Sequence, residues 1–346
     1  MIHFQKEEQM RLYTDKEVSM DALQNVKVAI IGFGSQGQAQ AACLRDSGVE
    51  VIIGVRPEGG SWKKASAQEF DVRSIPEAVQ TGDVVHLLIP DEVQGEVFAA
   101  SVAPYLRKEQ TLSFSHGFSV AFSLIDLPEY IDVIMVAPKG PGTQVRKTYS
   151  AGFGVPGLIA VKQDVSGNAE YCALAMAKAM GLTRAGVFRT SFEDEAKEDL
   201  FGEQAVLCGG LVHLMLAGFE VLTEAGYAPE IAYFETVHEM KLIVDLIYNG
   251  GVNLMSRVIS NTAEWGMHVS GPRIIGPEVK ERMKEVLKDI DSGLFAKNWM
   301  NEVKNGASLL RQKREQLDSH LLEKTGGEIR ALFSSQTKTG EYSHEQ

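Results

Sequence analysis

The chain has 346 residues, a formal net charge of -12 at pH 7, and 44% hydrophobic against 23% charged residues. That length accommodates two domains, each with its own core, and the acidic balance leaves no basic footprint for nucleic acid or an anionic membrane. The isolated cysteines Cys43, Cys172 and Cys208 imply no disulfide framework; they read as small core residues in a reducing compartment. The charged N-terminus MIHFQKEEQMRLY lacks the apolar run of a secretory signal, and no later run approaches the length of a membrane span, so a cytoplasmic protein is expected. The polar tail 334–346 reads as frayed.

Residues 26–31 are almost continuously apolar and rich in Val and Ile, the pattern of a strand covered on both faces of a parallel sheet. They run into Gly32-Phe33-Gly34-Ser35-Gln36-Gly37 and a helical segment, 38–45. Strand, Gly-x-Gly-x-x-Gly and helix in that order form a dinucleotide fingerprint, with the phosphates on the helix N-terminus. A second strand, 50–55, ends in Arg56 rather than the acid that holds a ribose hydroxyl, and Ser61, Lys63 and Lys64 follow. This basic patch suits the 2'-phosphate of NADPH, whereas Glu58 opposes it and keeps NADH use open.

Strand 83–89 ends in Pro90-Asp91-Glu92-Val93-Gln94, strand 111–114 in Ser115-His116-Gly117, and strand 132–137 in Pro138-Lys139-Gly140-Pro141-Gly142. Ligands of open α/β sheets bind outside the carboxyl ends of strands, which makes His116 and Lys139 catalytic candidates. A further strand, 155–161, and a helix, 169–180, capped by Gly181, complete the alternation. The expected architecture is therefore a Rossmann-like, doubly wound parallel sheet over residues 10–190, followed by a helical domain over residues 191–333.

The helical half carries carboxylates in unusual places. Glu195, Asp199 and Glu203 are spaced four apart, on a segment apolar almost all round from Leu200 onward, the pattern of a helix buried on most sides. A second helix, from Pro229 to about residue 249, carries Glu235 and Glu239. Buried carboxylates need cations, and Lys197 and Lys241 are too few, so a divalent metal is expected; oxygen-only ligands favour Mg2+ over zinc. Glu235-Thr-Val-His238 matches a di-iron Glu-x-x-His motif, but no second copy exists. Ser260 lies in a break that reads equally as a pocket lining or a helix cap. Helices 277–290 and 302–322 look structural.

Gly32-Phe33-Gly34-Ser35-Gln36-Gly37, Ser115-His116-Gly117, Pro138-Lys139-Gly140-Pro141, Asp199-Leu200-Phe201-Gly202-Glu203, Glu235 with His238-Glu239, and Ser260-Asn261-Thr262 together resemble ketol-acid reductoisomerase of the short-chain class. The resemblance covers about 13–333. It implies an all-helical, knotted C-terminal domain, a homodimer or dimer-based higher oligomer, and small 2-hydroxy-2-alkyl-3-keto acids as substrates. It also implies Mg2+-dependent alkyl migration and then reduction by a nicotinamide cofactor. By resemblance, Asp199 and Glu203 of one subunit with Glu235 and Glu239 of the other hold two Mg2+ ions, Ser260 touches substrate, and His116 and Lys139 are active-site residues. Phe33, Gly34, Ser35, Gln36, Arg56, Ser61, Asp91, Glu92, Val93, Gln94 and Gly142 match cofactor-binding positions. Two other readings are a simple NADP-dependent hydroxyacid dehydrogenase, which leaves the carboxylates unexplained, and a nucleotide-sensing regulator that has lost catalysis.

Overall fold

A computed structural model of the chain describes residues 11–334; the expectations for the first ten residues and for the tail beyond Ser334 lie outside them. The chain divides into two compact units between Glu198 and Asp199.

The first unit is built on nine strands: β1 (Leu12–Tyr13), β2 (Lys27–Ile31), β3 (Glu50–Gly54), β4 (Asp71–Arg73), β5 (Val84–Leu87), β6 (Thr111–Phe114), β7 (Asp132–Pro138), β8 (Gly157–Gln163) and β9 (Val187–Arg189). Its main helices are α1 (Ser35–Asp46), α2 (Gly60–Ala67), α3 (Ile75–Thr81), α4 (Asp91–Val97), α5 (Phe118–Ala121), α6 (Gly142–Ser150) and α7 (Ala169–Ala179). The strands lie in the order β1-β9-β8-β7-β6-β5-β2-β3-β4. Side chains alternate between two cores: Val28, Ile30, Val51 and Ile53 pack on one face, Ala29, Ile31 and Ile52 on the other. This two-residue period on strands buried on both sides accounts for their continuous apolar runs.

From β4 to β7 the strands are parallel, but β8 runs antiparallel to β7 and β1 antiparallel to β9, so the sheet is mixed rather than all parallel. Apolar content marks residues 157–163 as a strand without encoding its direction. Pro138 pairs with Gly157, so the chain leaves β7 and returns beside it after α6. The strand order reverses between β2 and β5, which opens a crevice at their carboxyl ends.

The remaining helices are α8 (Phe192–Gly202), α9 (Gly209–Glu224), α10 (Pro229–Tyr233), α11 (Glu239–Val258), α12 (Asn261–Ile274), α13 (Pro277–Asp291), α14 (Leu294–Lys304), α15 (Ser308–Ser319) and α16 (Leu321–Ser334). Gly226 takes the left-handed conformation after α9 and Pro229 opens α10, as the turn chemistry predicts. Several long-helix expectations need correction. A π-helical turn, Glu203–Leu207, separates α8 from α9, and another, Phe234–His238, separates α10 from α11. The backbone leaves helical geometry at Gly250 and Gly251, and the expected helix 302–322 is broken at Gly306.

The second unit's core is small: Phe219, Ala232, Tyr233, Leu322 and Ile329, with Arg330 donating to the Tyr233 hydroxyl at 2.9 Å. Much of its apolar surface stays open. Val206 is 51% and Leu207 65% exposed, and Cys208 beside them is exposed rather than a core residue. The reading of residues 200–219 as buried on most sides therefore fails within the single chain. Nor does the expectation about membrane-span length hold. Taken as one run, Phe192–Glu224 is long and apolar enough to cross a membrane, with mean hydropathy 1.9 in its most apolar part, because no charged residue interrupts it between Glu203 and Glu220.

Candidate active site

The glycine loop is held in place by contact. Gly32 has φ +104°, and a Cβ there would lie 2.7 Å from the Leu88 carbonyl oxygen; a Cβ on Gly37 would lie 2.5 Å from the Gly32 oxygen. Neither position admits a side chain. By contrast, Gly34 has open space beside it, and the first turn of α1 receives no side-chain cap. Exposed Ser35 and half-buried Gln36 follow, so unpaired N–H groups and an open approach fit a dinucleotide pyrophosphate. Phe33 points inward instead, packing edge-on against Phe70 at 5.6 Å.

The exit of β7 locks onto this loop. Gln36 Nε2 donates to the Gly140 oxygen at 3.0 Å, and a Cβ on Gly142 would sit 2.4 Å from the Ser35 oxygen. Beyond β3, Arg56 is exposed, Gly59 precedes α2 without a side-chain cap, and Ser61 lies in the first turn of α2. Glu58 stands in this turn with φ 61°. On α4, Asp91 and Glu92 are half-buried and Val93 exposed. Buried Gln94 donates to the Ile89 oxygen at 2.8 Å and to Asp91 at 3.0 Å, leaving its own Oε1 buried without a partner. Among the described residues that acceptor meets no donor.

Glu195, 2% exposed, organises the catalytic candidates. Its Oε2 meets His116 Nδ1 at 3.0 Å and accepts from the Gly117 N–H at 2.7 Å, while its Oε1 accepts from Lys139 Nζ at 3.1 Å. The carboxyl ends of β6 and β7 thus converge on one carboxylate carried by α8. Burial pushes the Glu195 carboxyl up, but the hydrogen bond and charge of His116, with Lys139 and the Gly117 N–H, outweigh burial and hold it below its ordinary 4.5. The group is an anion aligning two proton-carrying side chains.

Sequence reasoning placed Glu195 in an acidic stripe but not in the site. The missing signal was its partners, 79 and 56 residues away. The carboxylates singled out instead are not buried in the described chain: Asp199 is half-buried, and Glu203, Glu235 and Glu239 are exposed. Asp199 follows Glu195 by one turn of α8. Glu203 opens one π turn, Glu235 lies in the other, and Glu239 starts α11. Such turns widen the helix at functional sites. All four are oxygen donors with no thiolate among them, a set that fits hard Mg2+. Ser260 is the N-cap of α12, its Oγ accepting from the Ala263 N–H at 3.1 Å.

A dinucleotide seat at the sheet crevice, with a carboxylate-aligned His and Lys beside it, defines a nicotinamide-dependent oxidoreductase of Rossmann type. The family model for the NADPH-binding domain of acetohydroxy acid isomeroreductase matches residues 22–186, and that for the C-terminal domain of ketol-acid reductoisomerase matches 192–335. The chain belongs to the ketol-acid reductoisomerase family. It is 57% identical to the Akkermansia muciniphila ketol-acid reductoisomerase (NADP(+)), with 94% of this chain and 99% of the relative covered. It is 54% identical to the ketol-acid reductoisomerase (NAD(+)) of uncultured archaeon GZfos26G2, at 94% and 99% coverage. A solved NADH-preferring ketol-acid reductoisomerase from an uncultured archaeon superposes with a TM-score of 0.92 at 54% identity, covering 93% of this chain and 99% of that one.

In Glu195→Gln the charge is lost and the shape kept. We expect kcat to fall about 10- to 100-fold, the scale of a lost charge-assisted hydrogen bond. Because the unfolded chain takes up this proton at higher pH than the native state, wild-type stability falls as pH drops below about 4.5. Acid unfolding of the Gln variant should lack that component; identical curves would refute the assignment.

Proposed function

We propose that the chain is a ketol-acid reductoisomerase acting on 2-acetolactate or 2-aceto-2-hydroxybutyrate in valine, isoleucine and leucine biosynthesis. In this reading an alkyl group migrates to the neighbouring carbonyl carbon, and a nicotinamide cofactor then reduces the new keto group to give the 2,3-dihydroxy acid. The observation that carries it is a dinucleotide seat in a chain that also holds two oxygen-only carboxylate pairs. A simple hydroxyacid dehydrogenase needs the first and has no use for the second.

Residues 10–190 form the cofactor domain and 191–333 the metal-binding and dimerisation domain, with the helical part knotted. Asp199 and Glu203, with Glu235 and Glu239 of the partner subunit, hold two Mg2+ ions, which supply Lewis-acid charge to the substrate oxygens. The chain's own groups manage protons and position. Lys139 gives or takes a proton at the reacting oxygen, with Glu239 the second candidate. Glu195 holds Lys139 in place, His116 is turned toward substrate by the same carboxylate, and Ser260 meets substrate from the partner. Asp199→Asn should lower Mg2+-dependent turnover of 2-acetolactate by on the order of 100-fold while NADPH Kd stays within about twofold. A matching loss of cofactor affinity would refute the separation of the two sites.

The cofactor is NADPH, bound through Phe33 to Gln36, Arg56, Ser61, Asp91 to Gln94 and Gly142, with NADH as an alternative. Arg56 and Ser61 favour the 2'-phosphate and Glu58 repels it. Replacing Glu58 with Ser should raise the ratio of kcat/KM for NADPH over NADH about tenfold, the scale of one like charge removed at short range. An unchanged ratio would reject this account of the loop.

The exposed apolar run including Val206, Leu207, Leu214 and Val221 is assigned to a second copy of the chain rather than to lipid, in a cytoplasmic homodimer. Sedimentation in detergent-free buffer should give a dimer or a multiple of it. A monomer, or a chain soluble only in detergent, would overturn the assignment.

A further inference from the structure

Beneath the glycine loop lies a buried polar chain that the proposed mechanism does not use. His86 sits mid-strand on β5, paired in register with Ile30 of β2 and Ser113 of β6, at the switch between the two halves of the sheet. Both His86 and Gln40 of α1 are fully buried. The ring bridges them: Nδ1 lies 2.8 Å from Ser113 Oγ and Nε2 2.8 Å from Gln40 Oε1.

The direction of every bond follows from chemistry. Burial pushes the imidazole down to about 4, so it is neutral with one donor and one acceptor nitrogen. Gln40 Oε1 can only accept, so Nε2 donates to it and Nδ1 accepts from the Ser113 hydroxyl. The Gln40 amide then spends its two N–H groups on Gln36 Oε1 at 3.0 Å and Ser115 Oγ at 3.1 Å. Gln36 donates onward to the Gly140 oxygen at 3.0 Å, and Ser115 to the Val136 oxygen at 2.9 Å. Ser115 also lies 3.3 Å from both His86 Nε2 and Gln40 Oε1.

The two arms end at different parts of the site. Gln36 stands in the first turn of α1, where the pyrophosphate is placed, and Gly140 follows Lys139. Ser115 precedes His116. We propose that Gln40, oriented by His86, is a positioning residue that fixes the cofactor seat and the His116 strand end relative to one another. Both residues are fully buried, so each acts only through Gln36 and Ser115. An apolar pair of the same volume would fill the space without setting these directions. The inference rests on the cofactor reading of the glycine loop.

The test separates positioning from packing. Gln40→Leu strands the polar atoms of His86, Gln36 and Ser115, and a lower melting temperature alone decides nothing. The triple variant Gln40→Leu, His86→Leu, Ser113→Ala removes the ring and its partners together, so its melting temperature should recover relative to Gln40→Leu. Its NADPH Kd, read by fluorescence titration, should stay raised about tenfold and its kcat lowered about tenfold, with ketoacid KM unchanged. A triple variant with wild-type Kd and kcat overturns the proposal. Should the triple variant not fold, Ser115→Ala decides: lowered kcat at unchanged NADPH Kd supports the Ser115 arm, and wild-type kcat overturns it. Wild-type protein that binds neither NADPH nor NADH would instead sink the cofactor reading, a distinct result.

Discussion

A carboxylate with almost no access to water must have its charge met by the protein, and at Glu195 that requirement sets the arrangement of everything around it. Three donors meet it, from His116, Gly117 and Lys139, and they come from the ends of two adjacent strands. Removing any one would leave part of a buried charge uncompensated, a larger penalty than the loss of an ordinary surface pair. The first turn of α8 is therefore tied to the sheet edge by electrostatics as well as by Phe192, which packs edge-on against Phe114. The same bonds that neutralise the anion fix where the imidazole and the ammonium point.

Much of this was legible in the chain. The glycine loop, the strand ends carrying His116 and Lys139, and the turns at Gly181, Gly226 and Pro229 are local patterns, and each is set by residues a few positions apart. What was not legible depends on distant partners or on features without a residue signature. Four-residue spacing shows that Glu195, Asp199 and Glu203 share a face, but not which one the sheet covers. A π turn inserts one residue into a helix; Phe234–His238 contains no Gly or Pro to announce it, and at Glu203–Leu207 the only trace is Gly209 and Gly210, where a Cβ would meet the Gln204 and Ala205 oxygens, so both carboxylate pairs read as ordinary helix positions. The direction of β8 is a property of the connection and not of its Val and Ile.

The apolar segment after Leu200 shows a different kind of mismatch. Its composition describes burial, yet within one chain Val206, Leu207 and Val221 remain open. Amphipathic patterning records that a surface is covered without recording by what, and a helix destined for a neighbouring subunit carries the same pattern as one destined for its own core. The small core of the second unit agrees with this: a buried cluster of five residues is small for so many helices, unless further burial comes from association.

Rigidity and freedom are distributed accordingly. Glu195, Gln40 and His86 sit where each polar atom already has an assigned partner, so a change of charge at any of them propagates through several bonds. Arg56 and Glu58 are exposed in a turn, and at Gly59 a side chain would meet nothing closer than the Arg56 oxygen at 3.3 Å. A charge can be gained or lost there with little effect on packing. Two relatives of nearly equal similarity to this chain, one described as NADP(+)-dependent and one as NAD(+)-dependent, fit that division. The exposed turn can change its charge without disturbing the alignment of His116 and Lys139, which is set elsewhere by buried bonds that the turn does not touch.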